Sequence, residues 1–373
     1  MHDGEDCNCV LTNGLIQYLD MRWLKVMLLR ERLIRQGCSV ITHSRLQSSG
    51  AGSAPNTSFV TPSPPPGPLQ VNSCIQFWKQ VFSQHKIPEP EASSEYIVAH
   101  VLGAKTIQSL ENKQLSDPLT TSQMQYVWEL CTRRLQRVPV QYVIGEWDFR
   151  HLTLKMKPPV FIPRPETEEL VVLVEEDLLS REKAVISVGP LREITFLEVG
   201  CGSGAICLSL LHLLPRINAI AVDKSAEAIN LTRENADRLG LSDRLNLLQM
   251  DILLDSQQLV RECGAVDFII SNPPYVFSED MNELEPEILQ YEDLQALDGG
   301  EHGLEVIQQI LTIGRQILKK NGKIFLEVEP RHPAMLQMLI SQGCYSGIVY
   351  KDTKRDFCER PRFCILQKTF EEV

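Results

Sequence analysis

The sequence predicts an α/β protein in which a mainly parallel sheet is covered by helices on both faces, preceded by a small helical domain and a β-hairpin linker. Three observations carry that expectation. From Leu191 onward, short and nearly continuous apolar runs alternate with helix-length stretches, the pattern of strands buried on both faces. Before residue 139, apolar side chains recur at helical spacing instead. Between the two, residues 140–163 turn to β-branched and aromatic side chains interrupted by Gly145 and Pro158-Pro159.

In chain order, residues 1–70 read as a presequence-like tail and linker. Residues 21–54 are Arg-rich and acid-poor with apolar positions at helical spacing, the composition of a mitochondrial transit peptide. The stretch 21–70 carries six Lys or Arg and one acid, Glu31. The first twenty residues oppose that pattern, with Asp3, Glu5, Asp6 and Asp20 and no basic side chain. Either Met21 is a used start or those twenty come from an alternative transcript, and the mitochondrial matrix is the expected location. Residues 50–68, rich in Gly, Ser and Pro, are a linker with no packed core.

Residues 71–139 group Phe77, Trp78, Val81 and Phe82 on one helical face and Tyr96, Ile97, Ala99 and His100 on another. Met124, Val127, Trp128, Cys131 and Leu135 form a third, so a helical bundle is expected, available for substrate recognition. Residues 140–190 supply the hairpin and a connecting helix. In residues 191–373, strands are expected at 194–199, 217–222, 245–250, 265–270 and 323–328, with helices at 204–214, 225–239 and 303–319. Runs near 346–350 and 362–367 come late enough to add an antiparallel edge.

The 373 residues suffice for two domains and a tail, and 43% hydrophobic with 23% charged is ordinary for a globular chain. No apolar run approaches the ~20 residues of a membrane span. The eleven cysteines are odd in number, scattered and without a C-x-x-C, which favours free thiols over a metal site. Net charge is −11, and residues 71–373 alone carry 31 basic and 43 acidic side chains, or −12. An acidic body repels a phosphate backbone, so nucleic acid is a disfavoured partner.

Two loops carry the chemistry. Gly200, Cys201, Gly202, Ser203 and Gly204 close the first strand of the sheet and open a helix. Glycines let the backbone turn sharply beside a ligand, and the helix start presents free N–H groups. Asp223 ends the next strand, placed to take both hydroxyls of a ribose. Spacing alone does not separate a nicotinamide dinucleotide from S-adenosylmethionine. Glu198 favours the latter, because an acid before the glycines suits a cationic amino group. Asp251, ending the third strand, can accept from an adenine amine while Ile252 packs on the ring; a helix N-cap is its alternative role.

The second loop, Asn272-Pro273-Pro274-Tyr275, follows a buried strand. Its prolines remove two backbone donors and stiffen the chain, leaving their carbonyls free. The Asn272 side-chain oxygen and the Pro273 carbonyl can together accept both hydrogens of a planar NH₂. That grip lets a delocalised lone pair turn towards a sulfonium methyl, while Tyr275 covers the flat group. His302, His332 and the other histidines are isolated, surface or capping residues with no metal-ligand spacing.

These loops, with Phe161-Ile162-Pro163-Arg164-Pro165-Glu166-Thr167-Glu168 and Tyr291-Glu292-Asp293…Ala296-Leu297-Asp298-Gly299-Gly300, resemble the HemK/PrmC-type release-factor glutamine methyltransferases, most closely the animal mitochondrial kind. The resemblance spans residues 73–367. It implies a Rossmann-like, seven-stranded class I methyltransferase domain using S-adenosyl-L-methionine. It further implies N5-methylation of the glutamine in the Gly-Gly-Gln loop of class-I peptide release factors, the expected partners. By the same resemblance, residues 200–204, Asp223, Ile252 and Asn272 meet the cofactor, and Arg164, Asn272, Pro273, Pro274 and Tyr275 meet the substrate. The competing readings are a nucleic-acid amino-methyltransferase, a non-catalytic cofactor-binding scaffold and an NAD-dependent dehydrogenase.

Overall fold

A computed structural model describes residues 62–185 and 193–369; the transit-peptide reading and most of the linker at 50–68 lie outside the described residues. The helical bundle comprises α1 (Val71–Gln84), α2 (Pro90–Val101), the short α3 (Asn112–Ser116) and α4 (Thr121–Leu135). α4 starts at a reciprocal cap, in which Thr120 Oγ1 accepts from the Gln123 N–H at 3.3 Å and Gln123 Oε1 from the Thr120 N–H at 2.9 Å. The bundle core is aromatic. Trp78 and Trp128 meet edge-on with centroids 5.0 Å apart, and Phe82 lies 5.5 Å from Trp78.

Residues 140–163 depart in part from expectation. The β-branched start of this run forms a short helix, α5 (Val140–Ile144), because Val140, Tyr142 and Val143 are buried against α2 and α4. Tertiary burial overrides strand propensity there. Gly145, at φ 76°, ends it. The hairpin then follows as β1 (Glu146–Phe149) and β2 (Leu152–Lys155), paired antiparallel. The connecting helix α6 (Pro165–Val185) opens with proline and carries Glu166 and Glu168 in its first turn, where acids suit the helix dipole.

The main sheet has seven strands in the order β5-β4-β3-β6-β7-β9-β8. They are β3 (Ile194–Val199), β4 (Ile217–Asp223), β5 (Leu245–Gln249), β6 (Val266–Ser271), β7 (Leu318–Glu327), β8 (Ile348–Arg355) and β9 (Pro361–Lys368). β3 to β7 are parallel, and β8 and β9 form the expected antiparallel edge. The winding reverses between β3 and β6, which leaves a crevice at their carboxyl ends.

Alternate residues load the two faces. Phe196, Phe268 and Phe325 pack with α6, α7 (Ala205–Leu213) and α8 (Ala226–Leu239), the first two rings stacked at 4.8 Å. Leu197, Ile269 and Ile324 face α9 (Ser256–Cys263), α11 (Glu305–Ile317) and α12 (His332–Ser341). α10 (Pro286–Tyr291) lies in the connection between β6 and α11. Seven of the described cysteines are free thiols, as expected. No helix among the described residues is long and apolar enough to cross a membrane, and none of their His, Cys, Asp and Glu side chains group as a metal site.

Candidate active site

The glycine loop after β3 is held from three sides. Gly200 and Cys201 donate to the Val222 carbonyl at 2.8 and 3.2 Å, and Gly204 to the Cys201 carbonyl at 2.7 Å. From α8, Thr232 Oγ1 donates to the Gly202 carbonyl at 2.9 Å and Asn235 Nδ2 to the Ser203 carbonyl at 3.0 Å. Gly200, Gly202 and Gly204 have φ of 76°, 54° and 81°, a region that L side chains rarely enter. At Gly204, a Cβ would also stand 2.8 Å from Leu208 and 2.9 Å from Thr232.

Asp223 is engaged with this loop. Its Oδ2 accepts from Gly202 N–H at 2.9 Å and its Oδ1 from Ser225 N–H at 3.0 Å, while burial raises its pKa. Each oxygen keeps a second lone pair for a hydroxyl. Next to it, at the ends of β4 and β5, a pocket of about 510 Å³ is lined by Lys224, Ser225, Met250, Asp251, Asp255 and Asp293. Asp251 faces this pocket but heads a local turn, its Oδ1 accepting from Leu253 N–H at 2.9 Å; the cap of α9 is Asp255 instead. Ile252 is buried in the core. The pocket lining does not extend to Asn272.

Glu198 is placed differently from expectation. It is 1% exposed, and its Oε2 accepts from the Cys207 N–H in the first turn of α7 at 2.9 Å. Burial pushes its carboxyl up to about 8. It anchors the helix start from within the core.

Asn272-Pro273-Pro274-Tyr275 leaves the sheet at the end of β6, beside the glycine loop. Ser271 Oγ ties the two strand ends by donating to the Val199 carbonyl at 2.7 Å. A Cβ on Gly200 would lie 3.9 Å from the Asn272 carbonyl oxygen. Asn272 Nδ2 donates to Thr167 Oγ1 at 3.1 Å. Thr167 Oγ1 donates to Glu327 Oε2 at 2.8 Å, and the Tyr275 hydroxyl to Glu327 Oε1 at 3.3 Å. Among the described residues nothing donates to Asn272 Oδ1 or to the Pro273 carbonyl.

The far side of this loop is braced by the turn at residues 297–303. Val276 N–H donates to the Leu297 carbonyl and Gly299 N–H to the Val276 carbonyl, both at 2.9 Å. The backbones approach so closely that a Cβ on Gly299 would stand 2.6 Å from the Pro274 carbonyl oxygen. One on Gly303 would stand 2.4 Å from that of Tyr275. His332 lies beneath, fully buried rather than on the surface. Its Nδ1 accepts from Glu329 N–H at 3.2 Å, its Nε2 faces the His302 carbonyl at 3.0 Å, and its ring stacks on Phe277 at 5.0 Å. It caps the Glu329 N–H and packs on Phe277.

Arg164, expected to meet substrate, donates to Glu292 Oε1 at 2.7 Å and lies over the Phe161 ring at 4.8 Å. Glu292 Oε2 also accepts from Ile162 N–H at 3.2 Å. The two distant motifs are thus clamped to each other. Thr167, Glu327, Glu292 and Asp293 carry roles that no local spacing announces. Only their presence in or near the quoted motifs, for all but Glu327, could have drawn attention to them.

Comparison with known proteins accords with this arrangement. Residues 73–145 match the PrmC N-terminal domain family and residues 191–352 a methyltransferase domain family. The chain is similar to the MTRF1L release factor glutamine methyltransferase of Homo sapiens, 50% identical over 85% of this chain and 94% of that protein. It is 32% identical to the release factor glutamine methyltransferase of Thermodesulfovibrio yellowstonii over 74% of this chain and 92% of that one. The corresponding protein of Chlorobaculum tepidum matches at 32% over 77% and 94%. With a seven-stranded class I methyltransferase sheet, a matching N-terminal domain and relatives aligned along nearly their whole length, the chain belongs to the release factor glutamine methyltransferases.

Proposed function

We propose that this chain transfers a methyl group from S-adenosyl-L-methionine to the side-chain N5 of the glutamine in the Gly-Gly-Gln motif of class-I peptide chain release factors. It does so in the mitochondrial matrix, supporting translation termination. The observation that carries the reading is the pair of acceptors at the end of β6, Asn272 Oδ1 and the Pro273 carbonyl, which no described residue engages, beside the glycine loop. Two acceptors suit the two hydrogens of an amide NH₂. Held there, the nitrogen is oriented, and its lone pair can localise as the new N–C bond forms. The amide nitrogen gives up one of its two protons to solvent as it takes the methyl. Tyr275, tied through its hydroxyl to Glu327, stands ready to cover the flat group.

The residues at hand fit the cofactor. Positive-φ glycines leave backbone open to a close ligand, Asp223 keeps lone pairs for ribose hydroxyls, and Asp251 faces a pocket sized for a nucleoside. S-adenosylmethionine, when bound, supplies the electrophilic methyl. Location rests on the Arg-rich composition of residues 21–54, and import of a reporter carrying residues 21–70 tests it. The nucleic-acid alternative gains nothing from the acidic body of the chain.

The deciding experiment supplies labelled S-adenosylmethionine with either a class-I release factor or total RNA. Label should enter the release factor, at its Gly-Gly-Gln glutamine. Asn272→Ala should cut that transfer by roughly 10²–10³ while changing cofactor affinity far less. Faster labelling of RNA would defeat the proposal, and turnover within a few-fold of wild type would defeat the role given to Asn272.

A further inference from the structure

We infer that Thr167 and Glu327 are positioning residues that set which way round the Asn272 amide stands, and through it the preference for an amide over a carboxylate. The inference rests on the role proposed above for Asn272. The two ends of a carboxamide are nearly the same size, so packing alone chooses poorly between them. Hydrogen-bond polarity chooses well. Thr167 has one hydroxyl proton, and its Oγ1 stands 2.8 Å from Glu327 Oε2. Above about pH 7 Glu327 is ionised and accepts only, so that proton is committed to it and Thr167 is left as an acceptor towards Asn272. At 3.1 Å, Asn272 must therefore present its NH₂. Its Oδ1 is turned the other way, where no described residue donates to it.

The chain is sheltered from water, which would otherwise supply either polarity. Thr167 is 2% exposed and Glu327 1% exposed. Arg362 opposes the cost of the buried charge on Glu327, and Glu166 adds to it. The second Glu327 oxygen receives the Tyr275 hydroxyl, so one acid aligns both side chains of the loop. A substrate approaching Asn272 Oδ1 and the Pro273 carbonyl meets acceptors alone. Glutamine brings two donors, whereas a glutamate of the same shape brings none and is repelled. With the Asn272 amide reversed, an N–H would face the substrate nitrogen, and that discrimination would weaken.

Thr167→Val deletes the hydroxyl at nearly constant volume. It should lower kcat on the release factor about 10–100-fold, with cofactor affinity within about two-fold and Thr167→Ser restoring most of the rate. Thr167→Val combined with Asn272→Ala should be no slower than Asn272→Ala alone, because Thr167 acts through that amide. A release factor carrying glutamate in place of its target glutamine should inhibit Thr167→Val more strongly than wild type. Glu327→Gln, which can donate to Thr167 and so reverse the polarity, should behave like Thr167→Val and decides the matter if the valine variant does not fold. Losses that multiply in the double variant, or near-normal rates in Thr167→Val and Glu327→Gln beside a slow Asn272→Ala, would overturn the inference. A near-normal Asn272→Ala would instead overturn the reading on which it rests.

Discussion

Glu198 illustrates how one carboxyl can be legible as a motif residue and yet serve another end. It precedes the glycine loop, but its side chain reaches the Cys207 backbone and burial pushes it up to about 8 from an ordinary 4.5. The folded chain thus binds its proton more tightly than the unfolded chain does. Its contribution to stability is complete below about pH 4.5 and is lost as pH rises through about 8. Glu327, pushed up to about 7 by burial, adds to the same trend. Glu198→Gln keeps an acceptor for Cys207 without a titrating charge. Relative to wild type, this variant should therefore gain stability as pH rises from 6 to 9, read as the difference in Tm at each pH. A Tm difference independent of pH would show that Glu198 is ionised over this range in the folded chain just as in the unfolded one. Asn272, Asp223 and the glycines could be read from the chain because each stands at a strand end in a short motif. Thr167 is 105 residues from Asn272 and 160 from Glu327, so their alignment exists only once the sheet has formed.

Elements were legible where burial is uniform along them. Strands such as β3 and β6 are mostly apolar and buried, and fell within a residue of their observed ends. β7 begins earlier than its apolar run, at Leu318, because Lys319, Lys320 and Asn321 extend the chain with little burial. α9, α10 and α12 went unread: the first two are eight and six residues long, and Pro333 stands in the first turn of the third. The turn at residues 297–303 carries glycines for a reason visible only in three dimensions, since it packs directly on the backbone of the Asn272 loop. Gly303 and Gly202 make a useful pair. Both have positive φ, but a Cβ at Gly202 meets nothing within 4 Å, whereas one at Gly303 meets the Tyr275 carbonyl oxygen at 2.4 Å. Gly202→Ala should cost about 1 kcal/mol of backbone strain. Gly303→Ala should cost that plus about 1–3 kcal/mol of overpacking, and should slow methyl transfer by displacing residues 274–276. Thermal unfolding and turnover check both, and equal stability of the two variants would show that the brace yields without cost.

Across the whole molecule, residues 284–300 bind the helical bundle to the reacting centre. Glu287 is 6% exposed and accepts from Arg134 at 3.3 Å and from Arg137 at 3.1 and 3.2 Å. Arg134 also donates to Ser93 Oγ and to the Pro88 and Val138 carbonyls, so its buried charge is fully partnered. Further along, the Tyr291 hydroxyl donates to the Gln136 carbonyl at 2.7 Å, and the Asp293 N–H to that of Pro159 at 2.8 Å. Asp293 then lines the pocket, and Gly299 braces Pro274. The bundle therefore holds part of the site in place, besides any contact it makes with substrate. Removing one partner of a buried ion cluster strands the others, at about 3–5 kcal/mol. Glu287→Ala should lower stability by that amount and slow methyl transfer to a folded release factor and to a short glutamine peptide by the same factor. Both substrates use the loop that the segment braces. Cofactor affinity should fall as well, through Asp293. Had the bundle served only as a docking surface, the protein substrate alone would suffer and the peptide rate would hold. Measuring the two rates side by side with cofactor binding separates a structural strut from a recognition surface, and a selective loss on the protein substrate would assign Glu287 to recognition.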